Sequence, residues 1–361
     1  MKNDLSKKTE LKNLTLSEIE DHLVELGSQK FRGKQVFNWM YNNLATSFDE
    51  MQNLPKELRA DLDEKYSLKT LEVLEVQNSA ESNTRKFLFE TSDKRKIESV
   101  IIPDKDRNTL CLSTQVGCPL DCKFCATGVL GFKRNLTVGE IIDQYMLVSK
   151  EFGKEYITNL VYMGMGEPLI NFKGTIGSLN IFTSEFNKSL SRTRITVSTS
   201  GIPGKIKELA DNNFRVKLAL SLHSPFEDIR SKIMPINRKY SLKDTLDAVH
   251  YYSRVTKTRI TFEYTMLKGI NDRQEDLEAL TKISRALPSK VNIIPFNSIA
   301  HMVPTGLSAE LEPTSSADIE KFADGLRDNN ITVMVRDTQG SDIAAACGQL
   351  AAKTENNLEQ N

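Results

Sequence analysis

Apolar and polar positions recur with two different periods along this chain, and the change of period divides it. Over residues 1–70 the apolar side chains fall three to four apart, as in Leu16-Ser17-Glu18-Ile19-Glu20-Asp21-His22-Leu23, a spacing that lays one apolar stripe along a helix. A basic, glycine-containing junction at 29–36 precedes the aromatic Phe37-Asn38-Trp39-Met40. This stretch reads as a small helical accessory domain. From 71 to 105 the period shortens toward two, at 86–90 and 98–102, so strands are expected there as a connector to the larger domain.

Between 106 and 340, short apolar runs alternate with amphipathic windows. Strands are expected at 109–114, 159–164, 194–199, 216–222, 259–266, 291–296 and 331–335, and helices at 138–152, 242–255, 272–286 and 316–328. Repeated strand-then-helix units imply an α/β fold with a parallel sheet, either open or curled into a full or partial barrel. In both arrangements chemistry belongs at the C-terminal ends of the strands. Residues 341–361 form a separate tail whose polar end, 353–361, is expected to fray.

Composition narrows the class. A 361-residue chain with 39% hydrophobic and 27% charged residues can build a globular core. No apolar run approaches the roughly 18 residues of a membrane span, and the start Met1-Lys2-Asn3-Asp4 has no signal-peptide core, so the chain reads as cytosolic with no membrane partner. Lys plus Arg (48) equals Asp plus Glu (48), yet residues 188–259 hold 15 basic against 6 acidic side chains and residues 305–361 hold 4 against 10. A neutral protein can meet a nucleic acid through such local excess, although a charge run also suits a solvated face.

Five cysteines are too few for a disulfide scaffold in a chain of this length. Cys111, Cys118, Cys122 and Cys125 lie within fifteen residues, and Cys347 stands alone near the end. The C-x3-C-x2-C run of Cys118, Cys122 and Cys125 can aim three sulfurs at one cubane cluster and leave one iron free. Structural zinc requires a fourth Cys or His at a suitable spacing, and His22, His223, His250 and His301 form no such pair; zinc and unrelated buried thiols remain the alternatives. Farther on, Val161-Tyr162-Met163-Gly164-Met165-Gly166-Glu167-Pro168 reads as a strand ending in two glycines and a carboxylate. Glycine lets backbone approach a ligand and Glu167 can neutralise an ammonium group, but the same residues also make ordinary turns.

With Phe124 before its last cysteine, the triplet resembles the hallmark of the radical S-adenosylmethionine (SAM) superfamily. That resemblance implies a partial (β/α)6 TIM-like barrel and one 4Fe-4S cluster held by Cys118, Cys122 and Cys125, whose open iron chelates the amino and carboxylate groups of SAM. It also implies a SAM pocket formed by Gly166 and Glu167 together with Ser198, Ser221, Leu222, His223 and Asn297. Each of those Ser and Asn residues equally suits a helix cap, and His223 a satisfied buried histidine.

Gln115-Val116-Gly117, Ala126-Thr127-Gly128 and Ile343-Ala344-Ala345-Ala346-Cys347-Gly348-Gln349-Leu350 further resemble the RNA adenine-C2 methyltransferases that act on 23S rRNA and tRNA, over residues 85–350. The resemblance implies that Cys347 accepts a methyl group from one SAM, that a radical from a second SAM removes hydrogen from it, and that the methylene radical attacks the base. Cys111 is then the resolving cysteine, acting through a transient disulfide, Glu98 the proton acceptor, and flavodoxin or ferredoxin the kind of electron donor; apart from the resemblance, Glu98 equally suits a solvated carboxylate on an edge strand and Cys347 a small residue in an Ala-rich terminal helix. Such a route is physically reasonable because C2 of adenine is electron-poor and has no lone pair with which to attack a sulfonium. An ordinary thiol, with a pKa near about 8.5, is only slightly ionised at neutral pH, so something must deprotonate or position Cys347.

Ala344 and Gln339 depart from the family, which often has Asp and Arg at these positions, and leave tail docking and phosphate contacts open. Lys30, Arg32, Lys34 and Trp39 are the candidates for recognising RNA shape, and the target base must leave its stack. Competing readings are the related C8 methyltransferase, a radical enzyme acting on a protein glycyl site, and a zinc-binding RNA module. Gly166-Glu167-Pro168, Ser200 and Pro295-Phe296 resemble the C2 group more closely than the C8 group.

Overall fold

The computed structural model describes residues 8–184 and 190–352; the 353–361 end read as frayed lies outside them. Helices α1 (Leu16–Glu25), α2 (Arg32–Tyr41) and α3 (Lys56–Lys65) occupy the region of helical period. α1 starts on a reciprocal cap, in which the Thr15 N–H donates to the Glu18 carboxylate at 2.7 Å and the Glu18 N–H donates back to the Thr15 hydroxyl at 3.3 Å. Ile19 and Leu23 of α1, Val36, Phe37 and Met40 of α2, and Leu58 and Leu62 of α3 bury the apolar stripe in the main core.

A buried ion pair fastens this helical region to the rest. Lys12 pairs with Asp143 on α4 (Val138–Phe152), and both side chains are almost wholly buried. Asp143 also accepts the Thr70 N–H at 2.9 Å and the Thr70 hydroxyl at 2.6 Å. Filling the remaining lone pairs in this way offsets the desolvation that a buried charge pair suffers.

Among the described residues ten strands form one sheet in sequence order. β1 (Leu71–Asn78), β2 (Arg85–Thr91), β3 (Lys96–Asp104) and β4 (Arg107–Cys111) pair antiparallel. From β4 onward the pairing is parallel, through β5 (Asn159–Tyr162), β6 (Ile195–Thr199), β7 (Lys217–Ser221), β8 (Ile260–Met266), β9 (Ser289–Pro295) and β10 (Val333–Val335). The crossovers are α4, α5 (Phe172–Phe182), α6 (Pro203–Asp211), α7 (Glu227–Ile233) with α8 (Leu242–Thr256), α9 (Gln274–Arg285) and α10 (Ser316–Asp328). Six β/α units followed by a closing strand make the expected partial barrel. Among the described residues β1 and β10 do not pair, so the sheet is open.

All seven residues of β8 are buried, yet its sequence alternates: Ile260, Phe262, Tyr264 and Met266 with Thr261, Glu263 and Thr265. The apolar set lies in the core, whereas Glu263 and Thr265 line a cleft inside the sheet's curve. A buried strand with one polar face is what a ligand-holding barrel interior requires. The strand expected at 109–114 is regular only to Cys111, because Ser113 then takes over with its side chain: its hydroxyl donates to Glu98 O at 2.5 Å and accepts the Met165 N–H at 2.8 Å. Among the described residues no helix is long and apolar enough to cross a membrane.

Candidate active site at the strand ends

The cysteine loop leaves β4 through a pinched base. Gln115–Val116 pairs antiparallel with Arg134–Asn135, and Gly117 sits there at φ +73°. A Cβ on Gly117 would lie 1.7 Å from Gly131 O, so both conformation and space demand glycine. Within the loop the Cys125 N–H donates to Cys122 O at 3.1 Å, and the Lys123 N–H donates to Ile233 O, at the end of α7, at 2.9 Å. The Phe124 ring meets His223 edge-on with centroids 4.5 Å apart. Cys118, Cys122 and Cys125 all line the interior cleft. Burial pushes all three thiols up, Cys118 to about 12, and repulsion adds to the effect, from Cys125 on Cys118 and Cys122 and from Cys347 on Cys125. Three thiols on one short loop, all lining one cleft, are soft sulfur donors of the kind that an iron-sulfur centre takes as thiolates.

The opposite wall comes from the next strand ends. Gly166 has φ +100°, and a Cβ there would lie 2.5 Å from Gln115 Cβ, so the close approach that demands glycine is to the cysteine loop itself. Glu167 is buried and accepts the Leu169 N–H at 3.0 Å, the Ser200 N–H at 2.8 Å and the Ser200 hydroxyl at 2.9 Å. Burial raises its pKa, and the Ser200 N–H pulls against that. A side-chain hydrogen bond from Thr199 pulls the same way, so surrounding donors hold this carboxylate in place, and what it offers a ligand from the cleft wall is its negative charge. Ser198, Ser221 and His223 line the same cleft, but Leu222 is fully buried beneath it. His223 Nδ1 accepts the Thr265 N–H at 2.9 Å, which requires the neutral ring, and burial holds its pKa down to about 3.

The tail closes the third side. Asn297 Nδ2 donates to Cys347 O at 3.2 Å, the Ala126 N–H to Gly348 O at 2.7 Å, and the Thr127 hydroxyl to Leu350 O at 2.6 Å. Cys347 is thereby bolted to the short helical turn that follows Cys125, and it lines the cleft with an exposed side chain. Cys111 is buried at the end of β4, where burial and the nearby Cys347 sulfur push its thiol up to about 12. All five cysteines are free thiols. Glu98 is not in the main cleft; it opens on an adjoining groove lined also by Lys86, Asp342 and Ala351. Its carboxylate pairs with Lys86 at 3.1 Å and accepts the Ala351 N–H at 2.9 Å. Ala344 is left-handed at φ +50°, and the tail is docked instead by Asp342, which accepts the Ser79 hydroxyl at 2.8 Å and the Ala80 N–H at 2.7 Å. Gln339 meets the Thr84 hydroxyl at 3.5 Å.

Arg230 escaped the sequence reading. Fully buried, it donates Nε to Leu222 O at 3.1 Å, Nη2 to Ser200 O and Ser221 O, and Nη1 to Asn237, joining two strand ends behind the cleft. Burial lowers its pKa to about 10. Glu263 and Arg336 were also missed. Only Glu263 carried a signal, an acidic residue in phase with two threonines on an otherwise apolar strand.

A barrel with three cysteines in the loop after its first parallel strand defines a class, and similarity to known proteins agrees: the radical SAM superfamily model matches residues 112–281. Its cofactors are a 4Fe-4S cluster and SAM. A second model, the ribosomal RNA large subunit methyltransferase N-terminal domain, matches residues 9–68. The dual-specificity RNA methyltransferase RlmN of Pelobacter propionicus is 42% identical over 97% of this chain and 98% of its own. A probable RlmN of Thermotoga neapolitana is 44% identical over 95% and 97%. In three dimensions a radical SAM methyltransferase from Sphaerobacter thermophilus matches with a TM-score of 0.89 and 40% identity, covering 96% of this chain and 100% of that one. The chain belongs to the RlmN family of RNA methyltransferases and is a SAM-dependent radical enzyme.

Proposed function

We propose that this enzyme methylates C2 of adenine in 23S rRNA and in tRNA, with Cys347 as methyl carrier. The observation that supports this most is that the Cys347 side chain lines the same cleft as Cys118, Cys122, Cys125 and Glu167. A thiol there can meet SAM held against the cluster loop.

Cys118, Cys122 and Cys125 hold the cluster through their sulfurs. Gly166 and Glu167 take the SAM amino group, through close backbone approach and carboxylate charge, and Ser198, Ser221, His223 and Asn297 bound the rest of the molecule, with Leu222 supporting from below. When bound, cluster and SAM supply the 5′-deoxyadenosyl radical that removes hydrogen from the methyl group on Cys347. Cys347 presents that carbon to the base, Glu98 accepts the C2 proton, and Cys111 releases the product through a transient disulfide with Cys347. Burial favours the proton-accepting role, because it lifts the Glu98 carboxyl toward neutral pH, where a general base works best.

Residues 1–70 form the accessory domain that reads RNA shape, 71–105 the connector, 106–340 the radical core and 341–361 the carrier tail. A low-potential donor, flavodoxin or ferredoxin, supplies electrons, and the enzyme works in the cytoplasm with its RNA. Nucleoside analysis of 23S rRNA and tRNA treated with the reconstituted enzyme tests the reading. It predicts 2-methyladenosine in both RNAs; 8-methyladenosine, or methylation of only one RNA, contradicts it.

A further inference from the structure

Arg336, one residue past β10, lies beside the cysteines without belonging to any motif read from the sequence. Its Nη1 is 4.0 Å from Cys347 Sγ and its Nη2 is 3.8 Å from Glu263 Oε1. The Arg336 N–H donates to Ile293 O at 2.9 Å, so the residue is anchored to β9 and not to the tail. Glu263 is buried and held by Asn292 Nδ2 at 3.0 Å, while its Oε2 is buried with no partner. Its positive charge also pulls the Cys111 thiol downward against the larger effect of burial. One cation, paired with a buried carboxylate, therefore touches Cys347 and acts electrostatically on Cys111, the two cysteines outside the cluster loop.

We propose that Arg336, tethered by Glu263, is the positioning residue for Cys347 in the polar methyl transfer: its N–H group holds the sulfur so that a lone pair points at the sulfonium methyl. This rests on the reading of Cys347 as carrier. In the step, Cys347 sulfur forms a bond to the methyl carbon while the carbon–sulfur bond of SAM breaks. The electron pair of that bond leaves with S-adenosylhomocysteine, and the thiol proton passes to water at this exposed residue. The thioether formed is uncharged and a weak acceptor, so the contact loosens and frees the methyl group for the radical half of the reaction.

The test uses cluster-loaded enzyme without RNA, starting from protein whose mass shows an unmodified Cys347. Methyl acquisition from SAM is followed by intact mass, and Cys347 alkylation by iodoacetamide is followed in parallel. A charge-assisted hydrogen bond of ordinary strength sets the scale, so Arg336→Gln slows both rates about ten- to a hundredfold. Arg336→Lys restores part of each, Glu263→Gln slows both several-fold, and iron and sulfide contents stay at the wild-type level. Should Arg336→Gln prove unstable, the Lys and Glu263→Gln variants carry the comparison. Wild-type rates in these variants overturn the assignment, as does a variant that loses only RNA affinity, which would make Arg336 a phosphate contact. A wild-type enzyme that never acquires the methyl group, while alkylation still depends on Arg336, defeats the carrier reading itself.

Discussion

The Glu98 carboxylate accepts the Ala351 backbone N–H at 2.9 Å, joining β3 to the tail across 253 residues of sequence. The other oxygen pairs with Lys86, so this carboxylate is at once a tether for the Cys347 segment and the proposed proton acceptor. The two duties separate by substitution. Glu98→Gln keeps an oxygen for the Ala351 N–H but cannot act as a base, whereas Glu98→Ala loses both. A hydrogen bond to a charged acceptor contributes about 1.5–3 kcal/mol, enough to change tail occupancy measurably. Limited proteolysis is expected to release the tail faster in Glu98→Ala than in Glu98→Gln, with RNA methylation reduced in both. Full methylation by Glu98→Gln removes Glu98 from proton transfer.

His223 makes the cleft acid-sensitive. Its folded pKa of about 3 lies below the ordinary value of 6.5, because burial opposes the charged ring. A depressed folded value means that the stabilisation is complete above pH 6.5 and is lost as pH falls toward about 3. The slope over that window is at most about 1.4 kcal/mol per pH unit for one proton. Urea midpoints measured across the window are expected to show this component in the wild type and to lose it in His223→Asn. Parallel curves for the two proteins contradict it.

The Lys12–Asp143 pair yields a stability prediction for the helical region. Lys12→Met strands a buried carboxylate and is expected to cost about 3–5 kcal/mol in denaturant unfolding, while Lys12→Met with Asp143→Leu regains much of the loss. A single variant as stable as wild type shows that Asp143 is satisfied by Thr70 alone.

Much of this architecture was legible in the chain, and the reasons differ element by element. α4 and α10 were read over the same residues that form them, because Thr137 and Ser315 cap amphipathic runs with an acidic residue three positions on. α5 and α6 were not read: Gly174 and Gly177 interrupt the first and Pro203-Gly204 opens the second. The spacing of Cys118, Cys122 and Cys125 is a signal in itself, whereas Cys347, on its own, suits a small residue in an Ala-rich terminal stretch and stands out only through the family resemblance. Arg230 and Arg336 stand out in neither way, since their meaning depends on Ser200, Ser221, Glu263 and Cys347 converging in space from distant parts of the chain.

Gly117 offers a test of the cysteine loop that leaves every sulfur in place. Gly117→Ala forces a Cβ against Gly131 O and a left-handed backbone on alanine. Reconstituted protein is expected to bind markedly less iron and sulfide, as read by metal analysis and the visible absorption of the cluster. Wild-type loading shows that the loop reaches the cluster without its pinched base.

On the function proposed above, a sulfur outside the cluster carries the methyl carbon to the RNA. The most direct measurement compares wild type with Cys347→Ala for cluster content, and for 2-methyladenosine in RNA after incubation with SAM and reductant. Equal iron and sulfide in the two proteins and no methylated adenosine from the variant are expected; undiminished methylation by Cys347→Ala rules out the carrier role.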